Sequence, residues 1–230
     1  LFFCFMIRRP PLSTLFPSAT LFRSPLPGGE GKARRLSLGP ADEPLAIYIA
    51  SLSPRMLALT GEVADGWLGT SFVPEGAQSS MDALARGAAR TGRSLADLDL
   101  CQGAEVAFAR DEAELHEMVQ GRKAGLAFSL GGMGSATTNF YNEAYARQGY
   151  AEVAAESQAL WLAGRRDDAA AAIPDEMVLA TTLLGTESQV ADRLRAWAYV
   201  GITHVRLYPA GATLEDRLDT LGRALDLVPT

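Results

Sequence analysis

Residues 47–71, IYIASLSPRMLALTGEVADGWLGTS, predict a strand, a tight turn, a helix and a second strand. The first strand is part of the apolar run 45–50, whose Ile and Tyr content is typical of a buried parallel strand. Ser53 is placed to cap the helix and Pro54 to occupy its first turn, and apolar residues then recur on one helical face. The second strand is predicted at 66–70. A helix that joins two buried strands indicates a parallel α/β sheet.

The same alternation of strand and helix continues along most of the chain. The further predicted elements are a helix at 78–91, a strand at 104–109, a helix after Asp111, a helix after Thr186, a strand at 203–208 and a helix from Thr213. The last helix repeats leucine at helical spacing, which predicts an apolar stripe packed on a sheet. Four strands in this order predict a parallel sheet with right-handed crossovers, either doubly wound or closed into a barrel. Neither GxGxxG nor GxxxxGK[ST] occurs, so the usual evidence for a nucleotide-binding open sheet is missing.

The composition of the chain excludes several classes of function. The chain has 230 residues, 48% of them apolar, and is long enough for one domain with a sizeable core. A formal net charge of -6 with scattered basic residues argues against nucleic-acid binding. Cys4 and Cys101 have neither CxxC spacing nor a companion His cluster, so no metal site and no disulfide framework are predicted. This cysteine usage favours the cytoplasm.

Residues 1–24, LFFCFMIRRPPLSTLFPSATLFRS, differ from the rest of the chain. Their leading apolar run of seven residues is too short to span a bilayer. Positive charge follows this run instead of preceding it, which is the wrong order for an export signal. The segment resembles translated sequencing-adapter DNA, and a natural disordered extension is the alternative. In either case we expect the folded domain to comprise residues 25–230, with no membrane association.

Residues 124–172 interrupt the alternation of strand and helix. Their composition is mostly helical, they contain no clear strand pattern, and glycines punctuate them at 131, 132 and 134. We interpret this segment as a helical insertion that precedes the last predicted strand.

Three stretches taken together carry a resemblance to a known family. They are residues 47–71, quoted above, LGGMGSATTNFYNEAYARQGY at 130–150, and LLGTESQVADRLRAWAYVGITHVRLYP at 183–209. In this order and spacing they resemble the luciferase-like monooxygenase superfamily, within the branch of oxidoreductases that depend on the deazaflavin coenzyme F420. The resemblance implies a (β/α)8 TIM-barrel fold that is incomplete here. Residues 25–230 would supply its C-terminal half, strands 5 to 8 with their helices, without the first four strands.

The expected cofactor site follows from this fold, because such barrels place their active sites at the C-terminal ends of the strands. A turn that opens a helix presents backbone N–H groups and the positive end of the helix dipole to a phosphate. The predicted cofactor-binding residues are Ala50, Ser51, Leu52 and Ser53 after the first strand, and Gly69, Thr70 and Ser71 after the second. The alternative interpretations are that Ser53 only caps the helix and that Thr70 and Ser71 are ordinary loop residues.

Candidate substrate contacts are Asn139, Tyr141 and Arg206. The first two follow the glycine-rich segment of the insertion, where helix packing is the alternative interpretation. Arg206 shares one face of the last predicted strand with His204 and is a candidate phosphate partner. Trp67 is expected in the core of its strand. No catalytic residue is assigned.

The resemblance implies three functional hypotheses. In the first, the intact protein transfers a hydride between F420 and a small organic substrate, and the cofactor performs the redox chemistry. In the second, it is an FMN-dependent monooxygenase of the same fold. In the third, this chain is a non-functional barrel fragment, because four strands leave two open edges that favour association. A homodimer is expected as an assembly of the intact protein.

Overall fold

A computed structural model of the chain describes residues 21–22, 34–35 and 46–228. The chain divides into two units, Leu1–Ala46 and Ile47–Thr230. In the first unit, strand β1 (Leu21–Phe22) pairs antiparallel with strand β2 (Arg34–Arg35). The other positions of the expected extension, 1–24, lie outside the described residues.

The described part of the second unit alternates strands and helices. Its strands are β3 (Tyr48–Ala50), β4 (Gly66–Gly69), β5 (Asp99–Phe108), β6 (Leu183–Gly185) and β7 (His204–Pro209). Its α-helices are α1 (Pro54–Val63), α2 (Gln78–Ala89), α3 (Glu112–Ala127), α4 (Phe140–Tyr145), α5 (Ala151–Leu162), α6 (Arg166–Ala171), α7 (Asp175–Thr181), α8 (Glu187–Tyr199) and α9 (Leu214–Asp226). Two π-helical turns, Phe128–Gly132 and Ala146–Tyr150, interrupt the helical insertion.

The strands of this unit form one parallel sheet, as the alternation of elements predicts. β3 pairs with β4, and β4 pairs with the first residues of β5. β7 pairs with β5 from Cys101 to Val106. Val106 also pairs with Leu183 of β6, which places β6 and β7 on opposite sides of β5. The sheet therefore runs β3, β4, β5, β7, with the short β6 beyond the end of β4.

All four predicted strands are present, but their bounds and number differ from the prediction. β5 begins at Asp99, five residues before the predicted start, because Cys101 and Gln102 are buried within the strand although Gln102 breaks the apolar pattern. β6 was not predicted, since its three residues form a strand only through their pairing with the end of β5. Residue 45, the predicted start of β3, lies outside the described residues.

Helices cover one face of the sheet and form its main core. Buried side chains from α1, α2 and α8 pack there against side chains of the strands. The larger members of this core are Leu57, Leu84, Leu194 and Trp197 on the helices and Trp67 and Leu100 on the strands. A second core joins α3 and the later helices of the insertion to the ends of β5 and β6, through residues such as Ala107, Leu130, Met177 and Leu184. This second core places the insertion beside the C-terminal ends of the strands.

The final helix corrects one prediction. α9 does contact β5 and β7, and its Ala224 is fully buried. Most of its leucine stripe does not reach the sheet: Leu214, Leu218 and Leu225 are 73%, 58% and 58% exposed. The stripe is present as an amphipathic pattern. Among the described residues, however, α9 contacts the core through Ala224 and through its partly buried C-cap residue, Leu227.

Candidate functional site

The two predicted cofactor segments lie next to each other. We name residues 50–53, which start at the last residue of β3, the first turn, and residues 69–71, which start at the last residue of β4, the second turn. The parallel register pairs Ala50 with Leu68, so both strands end at the same edge of the sheet. The structure therefore brings together the two segments that the sequence places about 20 residues apart.

The first turn uses its side chains for internal contacts. The Ser51 hydroxyl is buried and lies 2.8 Å from Thr60 Oγ1, and its carbonyl accepts from Trp67 Nε1 at 3.0 Å. Ser53 is the N-cap of α1, with its Oγ accepting from the Met56 N–H at 3.4 Å. What this turn offers a ligand is therefore the N-terminal end of α1 and its backbone N–H groups.

The second turn is more open and has an unusual backbone. Thr70 is exposed, whereas Gly69 is buried, and a Cβ built on Gly69 would lie 1.8 Å from Gln102 Nε2. Ser71 has φ of 52°, the left-handed region that residues with a side chain rarely adopt. Such strained positions are common at functional sites and persist only when their surroundings hold them.

A cavity of about 260 Å³ opens beside the second turn. Its lining comes from the second turn, from Gly103 and Glu105 in the middle of β5, from α3 and from the helices that follow α3. Polar residues in its lining are Thr70, Ser71, Glu105, Arg122, Ser129, Tyr145, Thr181 and Thr182. Only the first two belong to the predicted site, so the structure adds six polar residues that the sequence did not assign to it.

An ion pair forms part of the cavity wall. Arg122 on α3 binds Glu105 on β5 through two hydrogen bonds, one of them from Nε to Oε2 at 3.2 Å. Arg122 also donates from Nη1 to the Met118 carbonyl at 2.9 Å. Sequence reasoning missed this pair, although a glutamate within an apolar strand is a signal of a polar cavity. The pair keeps the wall polar with little net charge.

Tyr145 contributes a buried hydroxyl to the same cavity. Burial raises the pKa of its phenol to about 12, and a hydrogen bond with the Ser71 side chain opposes that shift. The phenol is therefore protonated at neutral pH and remains a potential donor next to the second turn.

The predicted substrate residues lie outside the cavity lining. Asn139 is 3% exposed; its Oδ1 caps α4 by accepting from Tyr141 and Asn142, and its Nδ2 donates to the carbonyls of Ser129 and Leu130. Tyr141 is half-buried on α4, and Arg206 is exposed on β7. None of the three predicted side chains belongs to the cavity lining found among the described residues.

Arg206 nevertheless lies close to a cavity-lining residue. Its Nη2 is 3.3 Å from the position that a Cβ on Gly103 would occupy. Gly103 pairs with Arg206 in the sheet and lines the cavity. Arg206 thus lies beside the cavity without belonging to its lining.

Metal binding and membrane spanning find no support in the described part of the chain. Residues 46–228 contain no group of three or more His, Cys, Asp or Glu side chains that could hold a metal ion. Within the same residues, no helix combines the length and apolar character needed to cross a membrane. Cys101 is a buried free thiol.

Comparison with known proteins agrees with this architecture. The family model of the luciferase-like monooxygenases matches residues 14–204. Rv3520c of Mycobacterium tuberculosis, named as a coenzyme F420-dependent oxidoreductase, is 34% identical over 202 residues, which are 85% of this chain and 56% of that protein. The chain thus spans a little over half the length of this relative.

Two solved structures share the fold at low sequence identity. An F420-dependent secondary alcohol dehydrogenase, solved with an F420-acetone adduct, is 13% identical with a TM-score of 0.61, covering 94% of this chain and 57% of its own. The F420-dependent tetrahydromethanopterin reductase of Methanopyrus kandleri is 20% identical with a TM-score of 0.56, covering 80% and 48%. Both likenesses support an α/β fold of TIM-barrel type. The chain belongs to the luciferase-like monooxygenase family, in the branch that includes coenzyme F420-dependent oxidoreductases.

Proposed function

We propose that this chain carries the cofactor-anchoring part of an oxidoreductase that transfers a hydride between coenzyme F420 and a small organic substrate. The observation that carries the proposal is the meeting of the first and second turns at one edge of a parallel sheet, beside a polar cavity. In this interpretation β3, β4, β5 and β7 correspond to strands 5 to 8 of a (β/α)8 barrel, and the helical insertion precedes the last of them.

The residues around the two turns suit the phosphate of such a cofactor. Backbone N–H groups of residues 50–53 at the start of α1 and the exposed hydroxyl of Thr70 converge from neighbouring strands. The amide of Gln102 lies against Gly69, is fully buried, and has no hydrogen-bond partner among the described residues. Buried polar atoms are nearly always satisfied, so an additional polar group beside the second turn is expected.

The protein side of the chemistry consists of binding and positioning. When bound, F420 supplies hydride transfer at its ring. The α1 terminus and Thr70 hold the anionic part of the cofactor, and Ser71 shapes the turn between them. Tyr145 keeps a protonated hydroxyl at the cavity, and the Arg122–Glu105 pair provides a polar wall without a large net charge. No residue of this chain is assigned as catalytic.

A fluorescence titration of the 230-residue chain with F420 tests the proposal. We expect saturable binding that is weaker in Thr70→Val by about tenfold, since one hydrogen bond to a charged group contributes about 1.5 kcal/mol. Thr137→Val is the matched control, because Thr137 is exposed and does not line the cavity. A folded chain that binds no F420, or that binds it equally well without the Thr70 hydroxyl, contradicts the proposal.

The second candidate function is an FMN-dependent monooxygenase, which the name of the matching family favours. FMN also carries a phosphate, so the same two turns suit it. Oxygen consumption by the intact protein, with FMN and an added flavin reductase, separates the candidates. Tight FMN binding with no affinity for F420 decides for the monooxygenase.

The third candidate, an inactive fragment, concerns this chain and not its family. The chain spans just over half of the relative described above, and we propose that residues 25–230 alone lack activity. Turnover by the 230-residue chain would contradict this. The homodimer of the intact protein stays a prediction.

A further inference from the structure

The π-helical turn Ala146–Tyr150 contacts both turns of the proposed cofactor site. Arg147 donates from Nη2 to the carbonyl of Leu52 in the first turn at 3.0 Å. Gln148 donates from Nε2 to the Ser71 carbonyl at 2.6 Å, and its Oε1 accepts from the Val73 N–H at 2.7 Å. Two consecutive side chains of the insertion therefore connect to two neighbouring strand ends.

We infer that Gln148 is a positioning residue that fixes the backbone of the second turn and thereby directs the Thr70 hydroxyl to the cofactor phosphate. The inference rests on the proposed function and extends it to a residue outside both turns. Gln148 acts through Ser71 and Val73 and is not expected to contact the cofactor.

The surroundings of Gln148 hold its amide in one orientation. The side chain is 7% exposed, and Nε2 makes a further hydrogen bond to the Ala144 carbonyl at 2.9 Å. Both amide protons and the amide oxygen are thus engaged with backbone groups. Gly76 packs directly on this residue, since a Cβ built there would lie 2.5 Å from Gln148 Cβ. The contact therefore requires glycine at position 76.

The helix around Gln148 is distorted in a way that serves this contact. Gln148 has φ -97° and ψ 15°, and Gly149 has φ 101°, both outside the helical range. The segment is therefore a kink between α4 and α5 rather than a regular helical turn. Here the distorted segment carries both side chains, Arg147 and Gln148, that donate to the first and second turns.

The second turn needs such support because Ser71 has left-handed backbone dihedrals. A residue with a side chain in this region costs about 1 kcal/mol or more. The Gln148 amide holds the Ser71 carbonyl on one side, and the Tyr145 phenol binds the Ser71 side chain on the other. Without the amide, relaxation of Ser71 moves the adjacent Thr70 away from its orientation.

The test is F420 titration of the full chain carrying Gln148→Met, which keeps the length of the side chain and removes its hydrogen bonds. We expect the dissociation constant to rise about tenfold. Amide hydrogen exchange of Val73, measured without cofactor, should accelerate in Gln148→Met.

Ser157→Ala is the control for a general loss of stability. Ser157 is fully buried and donates to the Ala169 carbonyl at 3.1 Å, between two helices of the insertion and away from both turns. We expect it to lower the melting temperature to a similar degree and to leave the F420 dissociation constant unchanged.

The outcomes separate this inference from the proposed function. If Gln148→Met binds F420 as tightly as the wild-type chain, this inference is wrong and the proposed function still stands. Equal weakening by Ser157→Ala, or unchanged amide exchange of Val73 in Gln148→Met, also overturns it, because Gln148 then does not act by holding the second turn. Folded wild-type chain that binds no F420 overturns the proposed function, and this inference with it.

Discussion

Tyr145 joins the helical insertion to the second turn through one buried hydroxyl. Its phenol is packed in the second core and hydrogen-bonds the Ser71 side chain. Burial raises the pKa to about 12 from its ordinary value of 10.0, because the phenolate is poorly solvated there. The group is therefore neutral at every pH at which an enzyme of this kind is expected to work.

The raised pKa makes the stability of the chain pH-dependent in the alkaline range. Below pH 10 the phenol is protonated in both the folded and the unfolded chain, and its contribution is fully present. As pH rises from 10 to about 12, the unfolded chain loses this proton first, and stability falls by up to about 3 kcal/mol. We expect Tyr145→Phe to lose less stability over this range, as measured by chemical denaturation.

Two other tyrosines with raised pKa values do not affect the comparison of Tyr145→Phe with the wild type. The pKa of Tyr48 is raised by its hydrogen bond to Asp99, and burial raises that of Tyr150. Both remain in the Tyr145→Phe protein, so the difference between the two pH profiles isolates Tyr145. Parallel profiles from pH 9 to 12 would mean that the phenol is not held in its neutral form.

At the scale of single elements, the start of α1 has both a structural and a proposed functional role. Ser53 caps the helix through the Met56 N–H, and Pro54 occupies the first helical position. The cap satisfies one backbone N–H group of α1. The other unpaired N–H groups at the N-terminus of the helix lie next to the first turn. The helix therefore begins where the proposed cofactor phosphate is bound.

Substitution of Ser53 separates these two roles. Ser53→Ala should lower the free energy of unfolding by about 1 kcal/mol, whereas Ser53→Gly should cost only a few tenths, because glycine is tolerated at this position. We expect Ser53→Gly to retain the F420 affinity of the wild type, because the hydroxyl is engaged by the cap and the backbone supplies the ligand contact. Urea denaturation and fluorescence titration measure the two quantities. Loss of affinity in both variants would show a direct contact from the hydroxyl.

Elements with local signals were predictable from the sequence. The helices α1, α3, α8 and α9 begin after Ser53, Asp111, Thr186 and Thr213, and each of these side chains accepts from the first turn of its helix. A cap depends on residues three positions apart, so it is visible in the sequence. The juxtaposition of the two turns also followed from the parallel pairing of consecutive strands.

Features that depend on distant residues were not predictable in the same way. Glu105 meets Arg122 only after β5 and α3 pack, and Gln148 meets Ser71 across 77 positions of sequence. Asn139 was a candidate for substrate binding, but a side chain of this type also caps helices, and the structure places it at the start of α4. Its polarity alone did not distinguish these two roles.

At the scale of the whole chain, the described part of the second unit exposes strand edges and large apolar side chains. Among the described residues, β3 pairs only with β4, and β7 pairs only with β5. Tyr48 and Tyr208 are exposed on these two edge strands, and the leucines of α9 are exposed beside β7. An open strand edge beside a contiguous apolar surface favours association between molecules.

We therefore expect the chain to associate reversibly as its concentration rises, and charged substitutions in the α9 stripe to reduce this. Leu218→Glu and Leu225→Glu place a charge on side chains that are each 58% exposed, so the folded chain should keep its melting temperature. Sedimentation velocity across a hundredfold range of concentration measures the association.

Tyr199→Glu is the control, since Tyr199 is 91% exposed at the end of α8 and lies outside the stripe. Association that is unchanged by the leucine variants, or reduced equally by the control, would assign it to another surface. A wild-type chain that stays monomeric throughout would show that the open edges and the stripe are compatible with a stable single molecule.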